Sequence, residues 1–380
     1  MIGERGSQVW VFAAAAITLL GATELCRGQG VPAAGQFALD KVVVKSGSSK
    51  AEIVAIGRIV DYTGTGLTFR AKDGASTTTF PIDQVVSVET PQTPPHVAGL
   101  RAFAADQTDE AFAQFTKALE VESRSWVRRE IRAMLVRCSL QQGDRAKAAL
   151  HFAELLRSDP ATIHFKLIPL VWTSETPSEG LQITARGWLN HSSDAMRLIA
   201  ASALLASQKD ESRCRIELQR LATTADPRIY WLAEAQLWRT RLEADNLDRV
   251  ELDRWATRIQ QIPEALRGGA YYVLGQGHLR LQEHERAAMS LLWVPLVYHD
   301  DQLLAAQACY EAAEALARIG QSAEANTLYR ELTNRFRNTT YGAKAAEKLG
   351  AANEPPGSPP GEASDAIKPK GQVPTEVPKN

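Results

Sequence analysis

One spacing recurs along most of this chain and limits its fold more than any other feature. A small or apolar residue is followed four positions later by a large one, and three after that by another apolar one. Residues 143–160, GDRAKAALHFAELLRSDP, give the clearest copy: Ala148, Phe152 and Leu155, opened by Gly143 and closed by Asp159-Pro160. Other copies are Ala111-Phe115-Ala118, Cys214-Leu218-Leu221, Ala287-Leu291-Val294 and Ala325-Tyr329-Leu332, the last preceded by Gly320. Two fainter copies fill the gaps: Leu181-Ala185-Trp188, and a unit at 251–262 with its reference position near Glu251. The steps between reference positions are 37, 33, 33, about 37, about 36 and 38 residues. The internal spacing is helical. A period in the thirties implies stacked helix pairs, each too small to bury its own apolar face. Small residues let two helices cross closely, and large ones fill the gaps on either side.

Residues 97–350 are therefore expected to be an α-solenoid of about seven helix pairs. The pattern resembles the tetratricopeptide repeat: Tyr271, Leu274, Gly275 and His278 match its first helix, and Ala148, Phe152 and Pro160 its second. The stretch at 161–190 departs, with Pro169 at the crossing position. The last unit, ALARIGQSAEANTLYRELTNRFRNTTYGAKAAEKL, is similar to repeats of bacterial periplasmic Tol-Pal accessory and outer-membrane assembly proteins. The resemblance implies a concave groove that binds a protein or an extended peptide.

Before the repeats, residues 39–90 change texture. KVVVK, EIVAIGRIVDY, GLTFRA, TTTF and QVVSVE are β-branched runs separated by turn formers such as Thr63-Gly64-Thr65-Gly66. Leu67 and Phe69 alternate with Thr68 and Arg70, which predicts one apolar face. Five short strands suit a small barrel-like domain, and the pattern resembles SH3-like or Sm-like barrels. PQTPPH, residues 91–96, reads as a stiff linker.

At the N-terminus, residues 1–30 read as a signal peptide. The apolar run Val9–Ala22 is too short to span a bilayer comfortably, and small residues follow at Gly28 and Gly30. Cleavage is expected near Gly28–Gly30, with residues 31–38 as a linker and no stable transmembrane span left. An uncleaved anchor and lipidation at Cys26 are the rivals; Thr23-Glu24-Leu25 is a poor lipoprotein match. Residues 351–380 hold seven of the 18 prolines and no aromatic residue, so they read as a disordered tail.

The search for chemistry is negative. His151 and Glu154 lie beside the inward residues of a helix, at its rim. His284-Glu285 opens like a zinc-protease helix, but Ala288 stands where the second histidine belongs. His299-Asp300-Asp301 reads as a capping turn. Cys138, Cys214 and Cys309 form no C-x-x-C pair and read as buried thiols. No phosphate loop or nucleophile elbow is present, so no catalytic, cofactor-binding or metal-ligating residue is assigned. A formal net charge of −1 offers no field for nucleic acid.

The expected function is an exported, non-enzymatic scaffold of the periplasm or cell envelope. An enzyme accessory with an unrecognised groove site is the alternative, and RNA binding through the β domain a third reading. N-terminal sequencing of envelope protein should find a first residue just after Gly28 or Gly30. A start before Ala22 would overturn cleavage.

Overall fold

The computed structural model describes residues 39–45, 51–72, 74 and 76–353, with side chains through residue 350. The expected signal segment, the 31–38 linker and the tail beyond Asn353 lie outside the described residues. The rest is mostly helical, with one small antiparallel sheet.

The sheet comprises β1 (Asp40–Lys45), β2 (Glu52–Tyr62), β3 (Gly66–Ala71), β4 (Thr77–Pro81) and β5 (Val85–Glu89) in the order β4-β3-β2-β1-β5. All ladders are antiparallel, and β4 and β5 are the edges. The predicted alternation in GLTFRA is present: Leu67 and Phe69 are buried. With Val42, Val44 and Ile59 they form the inner face. That face is covered by helices, because the same core contains residues of α1 (Pro94–Ala104), α2 (Thr108–Val121) and α3 (Ser125–Gln141).

The stiff linker expected at 91–96 is shorter than the sequence suggested. Pro94 starts α1, and His96 is buried within it. A proline is tolerated in the first helical turn because its missing N–H would have no intrahelical acceptor there.

Eleven more helices follow: α4 (Arg145–Ser158), α5 (Glu179–Trp188), α6 (Asp194–Leu204), α7 (Glu211–Leu221), α8 (Pro227–Arg239), α9 (Arg249–Ile259), α10 (Gly268–Arg280), α11 (His284–Val297), α12 (Gln302–Arg318), α13 (Ser322–Arg335) and α14 (Thr340–Asn353). The last runs three residues past the boundary expected at 350. Consecutive helices pack on one another, α8 and α9 through the stacked rings of Trp238 and Trp255 at 5.3 Å, and α8 also touches α6 and α10.

The repeat positions fall inside these contacts. Ala111, Phe115, Ala118, Ala148, Phe152, Cys214, Leu218, Tyr271, Leu274, Ala287, Ala325 and Tyr329 are all buried, whereas Pro160 is exposed. A Cβ on Gly275 would stand 2.5 Å from Leu291 Cγ, so α10 and α11 cross where the side chain is absent. At 251–262 the register is off by one. Leu252, Trp255 and Ile259 face inward, while Glu251 pairs with Arg241 at 3.0 Å. Gly143 and Gly320 take positive φ at the turns after α3 and α12. Asp106 and Gln282 take the same conformation after α1 and α10. In all four turns the next residue's N–H bonds to a carbonyl five positions back, closing the helix end.

One expected helix is absent. Between α4 and α5 the chain forms a strap, residues 159–178, whose only regular turn is the 3-10 segment Phe165–Leu167. It contains Pro160, Pro169 and Pro177, each of which removes a helix donor. The fourteen helices of the described residues thus form six consecutive pairs, a seventh unit in which the strap stands in place of the helix before α5, and the lone α14.

Phe165, Leu167, Ile168, Leu170, Val171 and Trp172 of the strap are buried. An irregular backbone at that depth needs partners for its polar groups. Arg239 of α8, only 8% exposed, serves two of them, Val171 O and Thr173 O. Its Nη1 donates to Val171 O at 2.8 Å and Ser202 O at 3.0 Å, and Nη2 to Thr173 O at 2.6 Å. Gln236 also donates to Val171 O, Ser202 Oγ accepts from Val171 N, and Arg145 donates to Leu170 O. Burial lowers the Arg239 pKa to about 10, which leaves it charged at neutral pH. Arg239→Ala should lower unfolding free energy by at least about 3 kcal/mol, since each orphaned buried acceptor costs about 1–3 kcal/mol. The exposed control Arg215→Ala should stay within about 0.5 kcal/mol. Urea denaturation of both variants checks this, and equal losses would remove the special role of Arg239.

Candidate functional site

Of the first helices of the pairs, the strap touches α3, α6, α8 and α10. Glu130 of α3 lies 2.9 Å from His164 Nε2. Ser202 of α6 and Gln236 of α8 bind the Val171 backbone. Trp172 lies against Gly269 of α10 so closely that a Cβ there would fall 1.9 Å from its ring. Trp172 and Leu304 of α12 line one small cavity of about 60 Å3. The strap thus covers part of these helices' surface with the chain's own residues.

The acidic turn completes this closure. Asp301 caps α12, accepting from Leu304 N at 3.2 Å, and pairs with Arg145 at 2.7 Å. Asp300 pairs with Arg137 at 2.7 Å and Lys166 at 2.8 Å. These bridges join α3, α4 and the strap to the loop before α12. Burial, then the positive charge of Arg335, holds the His299 pKa below the usual histidine value.

His151 and Glu154 are not brought together as an acid–base pair. The His151 ring lies 5.8 Å from that of Phe112, and burial lowers its pKa. Glu154 pairs with Arg157 and lies 3.6 Å from Arg132. Among the described residues no group of three His, Cys, Asp or Glu could hold a metal ion. One acid stands out: Glu311 of α12, whose burial raises its pKa. It accepts from Tyr272 Oη at 3.2 Å, from Gln307 at 2.9 Å and from Gln276. These neutral donors hold the carboxyl in place without supplying a nucleophile or a base.

The feature that sequence reasoning missed is on α11. Ala287, Leu291 and Val294 face inward as expected. The opposite side is also apolar: Met289 is 65% exposed, Trp293 45%, Leu296 68% and Val297 47%, with Leu292 half-buried between them. Positions i, i+3, i+4, i+7 and i+8 form one continuous helical stripe. Among the other helices, α2, α4, α5, α7 and α9 each expose one aliphatic residue at most at that level, Val121, Leu150, Ile183, Ile216 and Val250, while β2 exposes Ile53, Val54, Ile56 and Val60. Single exposed residues are ordinary, whereas a contiguous stripe marks an interaction surface.

The stripe is rigidly backed. Trp293 stacks on Tyr271 at 5.2 Å, and Tyr271 on Tyr298 at 5.8 Å. Gln260 Nε2 fixes the Tyr271 hydroxyl at 3.1 Å. Pro295 sits inside α11, and its carbonyl accepts from Arg335 Nη1 at 3.0 Å, which places a cation at the rim. The signal in the sequence was Met289 and Leu296, apolar residues on the side that the repeat leaves to solvent.

Burial pushes the thiols of Cys138, Cys214 and Cys309 up to about 12. The thiolate is the reactive form, so it is scarce at pH 8. Iodoacetamide should leave all three unmodified in the native protein at pH 8 and label all three in urea, as read by intact mass. Rapid native labelling of any one would contradict its burial. No helix of the described residues is long and apolar enough to cross a membrane. No family model matches the chain, and no match to it is found among curated proteins.

Proposed function

We propose that this chain is an exported, non-enzymatic scaffold of the periplasm or cell envelope. In this reading its TPR-like helix pairs form an α-solenoid that binds a protein partner. The small β domain, barrel-like in this reading, is fixed to the first helices and orients them. The observation that carries the reading is the stripe Met289, Leu292, Trp293, Leu296 and Val297 on α11. Its spacing fits an amphipathic helix of the partner laid along it, the common helix-on-groove mode of recognition. Trp293 is the natural anchor, because large aromatic residues with packed backing dominate interface energies. The strap makes an extended peptide on the inner face a poorer fit than a helix on the outer face.

Site-specific photo-crosslinking tests this in cells that make the full-length protein. A crosslinker at Leu296 should give one discrete adduct, and Trp293→Asp should abolish it. The same probe at Ile216, a lone exposed aliphatic on α7, should give none. The same adduct from position 216, or its persistence in Trp293→Asp, would overturn the assignment.

A further inference from the structure

Away from the α11 stripe, a cavity of about 320 Å3 lies where the start of α3 meets the end of α4. Its volume is within the range of small-ligand clefts, about 300–1,000 Å3. Arg128, Arg129 and Arg132 of α3 line it together with Arg157 of α4. Ser123, Ser125 and Ser158 add three hydroxyl groups. Glu154 is the one carboxylate in the lining among the described residues, and it faces both Arg157 and Arg132.

With Asp61 paired to Arg129 and Glu154 shared between Arg132 and Arg157, four guanidinium groups face two carboxylates, which leaves the pocket positively charged. Of the four, Arg129 is the arginine most tied into the protein. It is 5% exposed, and its Nε is buried with no hydrogen-bond partner. Its other nitrogens are used: Nη1 donates to Ser158 Oγ at 3.1 Å, and Nη2 to Asp61 and to Tyr62 O. Arg128 turns one nitrogen to the carbonyls of Leu119 and Glu122 and still reaches the cavity wall. At the same place α3 begins with no side-chain cap and no acidic residue in its first turn. Burial and the neighbouring Arg128 and Arg157 lower the Arg132 pKa, against the pull of Glu154.

We propose that this cavity is a binding site for a tetrahedral oxyanion, a phosphoryl or sulfuryl group carried on a small molecule or on a lipid headgroup. Arginine forks and serine hydroxyls match the several acceptor oxygens of such a group, and the planar guanidinium can bind two of them at once. Glu154 is the internal competitor: it occupies Arg132 and Arg157 until the ligand takes them. The proposal does not depend on the α11 stripe.

The test uses the full-length protein at low ionic strength. Isothermal titration calorimetry is run with inorganic phosphate, sulfate and glycerol phosphate, and flotation with phosphatidylglycerol vesicles against phosphatidylcholine vesicles. Wild type should bind at least one of these probes. The double variant Arg132→Gln/Arg157→Gln should weaken that binding at least tenfold, and Glu154→Gln should strengthen it several-fold. Loss confined to the soluble probes assigns a free ligand, and loss confined to anionic vesicles assigns a headgroup. Far-UV circular dichroism checks that the variants fold. If the double variant does not fold, the gain in Glu154→Gln decides the matter. No binding by wild type, or affinities unchanged in the variants that fold, would overturn the site.

Discussion

The inner organisation of this protein depends on one buried cation. Arg239 is held among the carbonyls of Val171, Thr173 and Ser202, and these bonds let an irregular strap lie where a helix would otherwise run. A helix satisfies its own backbone, whereas the strap exports that requirement to α4, α6 and α8. The packing follows from this exchange. Gly269 has no side chain because Trp172 occupies its space, and the capping turn at Asp300-Asp301 is drawn to Arg137, Arg145 and Lys166.

The sheet is joined to the helices by the same kind of bond, a buried or half-buried polar group reaching across an apolar boundary. Arg129 ties α3 to Asp61 and to the Tyr62 carbonyl. Asp159, at the end of α4, accepts from Gly64 N at 2.9 Å, where the β2–β3 turn presses on Ala161. Tyr62 and Trp126 meet edge to face at 6.3 Å. Glycine is required at position 64, since a Cβ would fall 1.8 Å from the Ala161 carbonyl. The boundary drawn at the proline-rich segment is thus one of sequence texture, because the apolar core runs through it.

Much of the helical framework was legible because crossing points need small residues at fixed intervals. Ala148, Phe152 and Leu155 are buried for the reason their spacing implied. Local patterns misled where no neighbouring element corrected them. Around 251 the inward residue is Leu252, and only the pairing of Glu251 with Arg241 distinguishes the two registers. Pro169 signalled a break, but not that the broken segment would be buried; Arg239, 70 residues on, decides that. The α11 stripe was ambiguous because residues 287–297 are apolar on nearly all sides, so periodicity alone could not separate packed from exposed positions. The arginine cavity was hidden because Arg157 joins Arg128, Arg129 and Arg132 only after α3 and α4 pair.

The strap also bears on how the chain folds. In a row of helix pairs that touch only their neighbours, each pair can settle as it is made, and stability grows with every addition. Here residues 164–173 lie among α3, α6, α8 and α10 and share a cavity with Leu304 of α12, so their environment is complete only once the chain has been made past residue 304. Such non-local closure carries a loop-entropy cost before the contacts repay it, which slows folding and joins the units into one cooperative transition. The protein therefore resembles a closed clasp in its energetics, although its local pattern is that of a linear array.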